Sequence, residues 1–208
     1  MQARQRAEDQ SREVARGARL SKDLVVAEAV RLADHEGLHG LGMRRLARAL
    51  DVGAMSLYHY VASRNELLDA MIDTVFAKIE PPSAEGDWQP AMRRWALSAR
   101  QVLAAHPWAI ALLDSRSTPG PAQLGHREAF TACLRRAGFT VLMATHANWL
   151  LDSYVHGFAL QETALPFDTA DQLTDTVEDV YLPQLPPEEF TYGLDLILAA
   201  LDPLRNPN

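Results

Sequence analysis

The sequence predicts an all-α protein, with a small N-terminal domain of three helices joined to a larger helical body. Three observations predict it. Apolar residues recur at helical spacing along most of the chain, and no useful stretch alternates apolar with polar as a half-buried strand would. Clusters of Gly and Pro ("DVGA", "EPPSAEGD", "STPGP", "AGF", "LPFD", "LPQLPPE") fall between the periodic runs, where helices end. Charge is also unevenly divided: residues 1–64 carry 11 Lys and Arg against 8 Asp and Glu, while residues 65–208 carry 9 against 19. That split suits a phosphate-facing head on an acidic body, although a surplus of three over a short segment is unremarkable by itself.

Composition narrows the class further. A chain of 208 residues can bury a substantial core. The single cysteine, Cys133, excludes an intrachain disulfide and suits a reducing compartment. No apolar run reaches the roughly 18–20 residues that a bilayer helix needs, and the first residues are polar. The expectation is a cytoplasmic protein with neither membrane span nor signal peptide.

Residues 1–20 are charged and nearly lack large apolar groups, the composition of a flexible basic arm or a frayed helix. Ser21 then caps a first helix, with Asp23 in its first turn and Val26, Ala29, Val30 and Ala33 forming one apolar stripe. Gly37 and Gly40 end it. A second helix runs about Met43–Leu50, "DVGA" makes a tight turn, and a third covers about Met55–Val61. Ser63 and Glu66 have capping-box spacing at the start of a fourth helix. Its apolar face (Leu68, Met71, Ile72, Val75, Phe76, Ile79) continues to Pro81–Pro82. Beyond lie helices at about Trp88–Ala105, Pro107–Asp114, Pro121–Ala137, Thr140–Ala164 and Glu188–Leu201, with a further short helix within 169–182. The domains are therefore read as an arm over 1–20, a head over 21–66 and a body over 67–208.

The second and third helices, joined by a short glycine-containing bend, have the form of a helix-turn-helix, whose second helix enters the DNA major groove. Leu46, Ala47, Leu50, Val52 and Leu57 are expected to point inward and fix the interhelical angle. Ala54, Met55, Ser56, Tyr58 and His59 are then directed outward. Three adjacent hydrogen-bonding rings, Tyr58, His59 and Tyr60, cannot all face a core, which leaves a duplex as the partner for those outside. Tyr60 has the alternative of packing under Val61.

The stretch Ser21–Ile79 resembles the TetR family of bacterial transcriptional repressors. The resemblance rests on "AVRLADHEG" and on "LGMRRLARALDVGAMSLYHYVASRNELLDAM", which reproduce the family pattern RxLAxxLGVxxxxLYxHVxxKxxLL nearly position by position. It implies a base-reading role for Arg44, whose guanidinium can grip guanine bidentately. Arg45 and Arg48 better fit solvated or acid-paired roles. Ser56 and Tyr58 match positions that meet bases and backbone, and His59 and Tyr60 match positions that reach phosphate. Arg64 matches a phosphate-pairing lysine at the start of the fourth helix. Two departures stand out. Gly42 replaces a capping Ser or Thr, while Gly53 and Ala54 replace longer polar base readers, leaving Ala54 only contacts such as a thymine methyl. Arg12, Arg16 and Arg19 of the arm are either minor-groove or phosphate contacts or a solvated tail.

One head reads too few base pairs, so two must be paired across a palindromic operator, with half-sites roughly 34–36 Å apart. The expected homodimer surface is the apolar excess on the last long helices, comprising Leu150, Leu151, Val155 and Phe158 with Leu194, Ile197, Leu198 and Leu201; the resemblance implies a four-helix interface there. The alternative is that these stripes serve the monomer's interior.

The body also holds all four tryptophans. Trp88, Met92, Trp95, Trp108, Leu113, Phe130, Asn148, Trp149 and Asp152 are candidates to surround a pocket for an unidentified small effector, each singly having the alternative of plain core. The resemblance implies that effector binding moves the heads out of register with successive major grooves. The resemblance implies that tetracycline repressors carry histidine and polar residues at places that correspond here to Glu80, Trp95 and the Leu113–Asp114 neighbourhood; the metal-binding histidines are missing, so a bulky, largely apolar effector other than tetracycline is expected. Asp152 and His156 share a helix face, as a metal pair or an ordinary ion pair. No HExxH, CxxC, GxSxG or Walker motif occurs, so no catalytic residue, metal or cofactor is expected. A helical enzyme or carrier with a vestigial head is the contrasting class, and a structural adaptor a third.

Overall fold

The computed structural model of the chain describes residues 20–113, 119–164 and 187–205. Most of the expected arm and the expected short helix at 169–182 lie outside the described residues. Those residues form nine α-helices and a 3₁₀ turn, and among them there is no strand. In chain order the helices are α1 (Lys22–Gly40), α2 (Met43–Ala49), α3 (Ala54–Leu57), α4 (Arg64–Phe76), α5 (Trp88–Ala105), α6 (Pro107–Leu113), α7 (Pro121–Arg136), α8 (Val141–Ala164) and α9 (Pro187–Leu201). The chain divides into two compact units. One runs up to Thr74 and includes Leu112–Gly120; the other comprises Val75–Ala111 and the residues from Pro121 onward. The division falls within α4, later than the Glu66–Leu67 boundary suggested by sequence, because Leu67, Leu68, Met71 and Ile72 are buried and supply the first unit's core.

In the first unit, Ser21 caps α1 by accepting the Leu24 N–H at 3.1 Å. Val25, Val26, Ala29, Val30, Leu32 and Ala33 are buried along its inner face. The helix is interrupted at Gly37, whose φ of 68° and ψ of 176° are open to glycine and strained for other residues. α1 packs on α2 and α2 on α3. Leu46, Ala47, Leu57 and Val61 are buried at the centre of this head. Leu50 and Val52, expected inside, are only half-buried, because the bend between α2 and α3 lifts them toward solvent.

The third helix is shorter than its periodicity suggests. After Leu57 the chain closes with Tyr60 N–H to Leu57 O at 2.9 Å and His59 N–H to Ser56 O at 3.3 Å. These i→i+3 bonds form a tighter turn than an α-helix. Leu57 and Val61, four residues apart and joined by the Val61 N–H to Leu57 O bond at 3.0 Å, both reach the core. α4 likewise ends at Phe76, and its apolar pattern is carried to the buried Ile79 by turns.

In the second unit, α8 is central, packing against α5, α7 and α9. Its core side carries Ala144, Ala147, Leu151, Val155, Phe158 and Ala159, all buried. Aromatic edges fill the interior: Trp88 meets Phe139 at 5.0 Å between centroids, and Trp95 meets Phe130 at 5.2 Å. A second cluster ties three helices together. Phe190 of α9 lies 5.1 Å from Phe158 and stacks on Tyr154 at 5.3 Å. The Arg100 guanidinium of α5 covers both Phe158 and Phe190 while pairing with Glu162.

Tyr154 Oη donates to the Phe190 carbonyl at 2.9 Å. It lies so close to Gly193 that a methyl group there would collide with the phenol. Alanine at this position would gain about 1 kcal/mol of helix propensity. Overpacking costs about 1–3 kcal/mol, and the displaced phenol would also weaken a hydrogen bond. Gly193→Ala should therefore lower the urea midpoint. A rise in the midpoint would show that α9 yields freely at this contact.

Candidate nucleic-acid interface

The head's outer surface is built by what its core excludes. Leu57 enters the interior, so its helical neighbours Met55, Tyr58 and His59 are left on the outside. Met55 is 77% exposed, the largest exposure among the described large apolar side chains, and Tyr58 is 44% exposed. Ala54, Ser56 and Tyr60 are half-buried at its margin. The sequence candidates thus occupy one continuous stretch of surface, with Tyr60 the most enclosed ring of the three.

The bend that presents this surface depends on Asp51, whose φ of 54° places a non-glycine residue in the left-handed region that Asp tolerates. Val52 N–H then bonds to Ala47 O at 2.9 Å and closes the turn. α2 starts at Gly42 without a side-chain cap, as its sequence implies.

Two cations flank the exposed stretch. Arg44 on α2 and Arg64 at the start of α4 are exposed, and no acid pairs with either among the described residues. Arg45, by contrast, is engaged by Glu36. Arg64 is positioned by a hydrogen-bonded corner. Ser63 Oγ accepts the Glu66 N–H at 3.1 Å, while the Glu66 carboxylate accepts the Ala62 N–H and the Lys22 ammonium, each at 2.6 Å. The expected capping box is therefore shifted: the carboxylate reaches Ala62, one residue before the cap, and ties α4 to the start of α1. The Lys22 hydrogen bond and then that of Ala62 hold the Glu66 carboxyl below its usual range. Sequence reading missed Lys22, whose only signal was a lysine at a helix start, remote in sequence from Glu66.

The body's candidates are redistributed by the structure. Trp88, Met92, Trp95, Trp108 and Phe130 are buried, and Asn148 and Asp152 are half-buried and hydrogen-bonded at 2.9 Å. Trp149 does not belong with them. It is 66% exposed, because its position on α8 lies away from the face packed against α5 and α7. Leu113 falls in the first unit and not with the body.

The dimer-interface candidates need the larger correction. Leu151, Val155, Phe158, Leu194, Leu198 and Leu201 are buried inside a single chain, and Ile197 is half-buried. Both helices are apolar on two sides, and periodicity alone did not say which side the monomer uses. The exposed large apolar residues of these two helices are instead Val141 (61%), Leu142 (65%), Trp149, Leu150 and Leu160 on α8, with Tyr192 (63%) and Leu196 on α9. Among the described residues, no group of three or more His, Cys, Asp or Glu is placed to hold a metal ion. No helix searched is long and apolar enough to cross a membrane.

The fold and this surface define a class: an all-helical protein with a helix-turn-helix head and a separate helical body. Residues 25–71 match the tetR family of bacterial regulatory proteins, and residues 80–187 match the tetracyclin repressor-like C-terminal domain. The chain belongs to the TetR family. It is 39% identical over 155 residues to the HTH-type transcriptional repressor DrrR1 of Streptomyces coeruleorubidus, covering 73% of this chain and 57% of that protein. It is 35% identical to the class E tetracycline repressor protein of Escherichia coli, covering 71% of each. Its structure resembles that of the Streptomyces coelicolor TetR family protein ActR in complex with actinorhodin, with a TM-score of 0.78 and 29% identity over 88% of this chain and 96% of that one. The chain spans 57% and 61% of the length of the first two curated relatives it matches. Membership places the matched residues in a family of bacterial regulatory proteins.

One body residue carries a pH signature. Burial pushes the Asp152 carboxyl up to about 6, outweighing the Asn148 hydrogen bond and the Arg127 charge, which lower it. An acid whose value is raised by folding contributes stability that is complete below its ordinary value near 3.8 and is lost as pH rises through about 6. Asp152→Asn removes the cost of a buried carboxylate at neutral pH. The variant should be more stable than the parent above pH 7, by about 1–2 kcal/mol given partial solvation. The gain should shrink below about pH 5 in urea titrations across pH. A pH-independent difference would contradict this reading of Asp152.

Proposed function

We propose that the protein is a sequence-specific DNA-binding transcriptional repressor acting as a homodimer and released from its operator by a small, largely apolar effector. The observation that carries the reading is the exposed Met55–Tyr58–His59 surface beside the Asp51 bend, flanked by Arg44 and Arg64. In this role Arg44 reads a guanine edge, while Ala54, Met55, Ser56 and Tyr58 face bases or backbone. His59, Tyr60 and Arg64 reach phosphates. The DNA is cytoplasmic, and the operator is a palindrome with half-sites about one helical turn apart.

The dimer forms through the outer face of α8 and α9. Leu142, Trp149 and Leu160 line one side of α8, and Tyr192 and Leu196 follow at i, i+4 on α9. A helix that is apolar on both sides is normally covered on both. The effector binds in the body among Trp88, Met92, Trp95, Trp108, Phe130, Asn148 and Asp152, where aromatic walls meet one polar pair. That the ActR structure is of a complex with actinorhodin supports a small-molecule effector for the present chain.

Selection from a random duplex pool tests the reading. Arg44→Ala should relax preference at one base pair, costing about 1–3 kcal/mol on the selected site. Arg64→Ala should weaken all sequences about equally and reduce the salt slope by about one counterion. Should both variants bind as the parent does, the two roles are wrong. Leu142→Glu combined with Trp149→Glu should sediment as a monomer with lost operator affinity. A persistent dimer would place the interface elsewhere.

A further inference from the structure

We infer that the bases read by the first turn of α3 are thymines, recognised through their C5-methyl groups, with Met55 as the principal reader. The inference rests on the DNA-binding reading above and names the chemistry of that same surface. Gly53 brings no side chain to the turn, and it is exposed. Ala54 brings a methyl. Met55 brings a thioether chain that is 77% exposed and makes no hydrogen bond of consequence. Ser56, the one hydroxyl among these residues, is half-buried, its Oγ beside Gly53 at 3.7 Å from where a side chain there would begin, a place that suits its DNA-backbone role better than reading a base edge. The leading edge of the recognition helix is therefore apolar, and the hydrogen-bonding rings Tyr58 and His59 lie further along the chain.

An apolar edge can discriminate among base pairs in the major groove in one way. The other features of the major-groove code are donors and acceptors, and the thymine C5-methyl is the only methyl group that projects from a base edge there in unmodified DNA. A polar base edge left against Met55 would lose water without gaining a partner, which selects against the other bases at that step. Met55 also suits the task through its flexibility, since an unbranched, polarisable chain adjusts to a methyl whose position varies with groove geometry. Its exposure in the free protein matters too, because docking on thymine recovers the apolar burial that the fold leaves unused.

The test uses the intact protein and the duplex selected from a random pool. Each thymine of the half-site is replaced in turn by deoxyuridine, which removes the methyl and leaves base pairing intact. On the parent protein, one or two positions per half-site should lose about three- to fivefold in affinity, the effect of one buried methyl. On Met55→Ala the same replacements should have little further effect. Because Met55 is solvent-exposed, the variant should retain the parent's circular dichroism and thermal midpoint. Indifference of the parent to every deoxyuridine overturns the inference while leaving DNA binding standing. Equal sensitivity in parent and variant overturns the role of Met55. Failure to select any duplex removes the DNA-binding reading, and this inference with it.

Discussion

The structure depends most on the burial of four side chains, Leu46, Ala47, Leu57 and Val61, between α2 and the turn that follows α3. Their packing fixes the angle between two very short helices, neither of which would persist alone in water. Ala47 is small enough to let the helices approach, and Leu57 occupies the inner side of α3 completely. With Leu57 inside, Met55 on the same short helix and Tyr58 and His59 in the turn that follows it are left exposed. The binding surface is thus the complement of the core, and a change to the core residues would disorder it without touching any exposed group.

Charge placement follows from similar local rules. Arg64 stands at the first position of α4 because Ser63 begins that helix and Glu66 ties the corner to Lys22. Glu36 takes Arg45 and leaves Arg44, its sequence neighbour, available. The body is governed by a different constraint. α8 must serve three neighbours within one chain and still carries Leu142, Trp149 and Leu160 outward, so it has two apolar sides with different tasks. Arg100 stacked over Phe158 and Phe190 holds the inner side together, while the outer side awaits a second chain in the proposed dimer.

Much of this was legible in the residues. Ser21, Gly37 and the Trp88–Ala105 periodicity marked their elements correctly, because caps, breakers and a single apolar stripe are local signals, whereas α4 ends at Phe76, short of the Pro81–Pro82 stop, because turns carry its apolar pattern on to Ile79. The outward set on α3 was legible for the same reason, given the buried Leu57. What periodicity could not resolve was a helix with two apolar faces. Of the residues that suggested a partner, Leu151, Val155 and Phe158 belong to the monomer core and Leu150 is exposed, while Leu142 and Trp149, exposed on the same helix, were not among them. Nor could it reveal that Lys22 and Glu66 meet, since a contact between distant positions follows from the packing of α1 on its neighbours and not from either local sequence.

The account stands or falls on whether the head's outer surface meets a duplex. Backbone hydrogen exchange of the full chain, with and without a duplex selected from a random pool, measures this directly. Slower exchange confined to the α2–α3 segment and the start of α4 on adding duplex is the result this account gives. Unchanged exchange there in saturating duplex, or protection confined to the body helices, would contradict it.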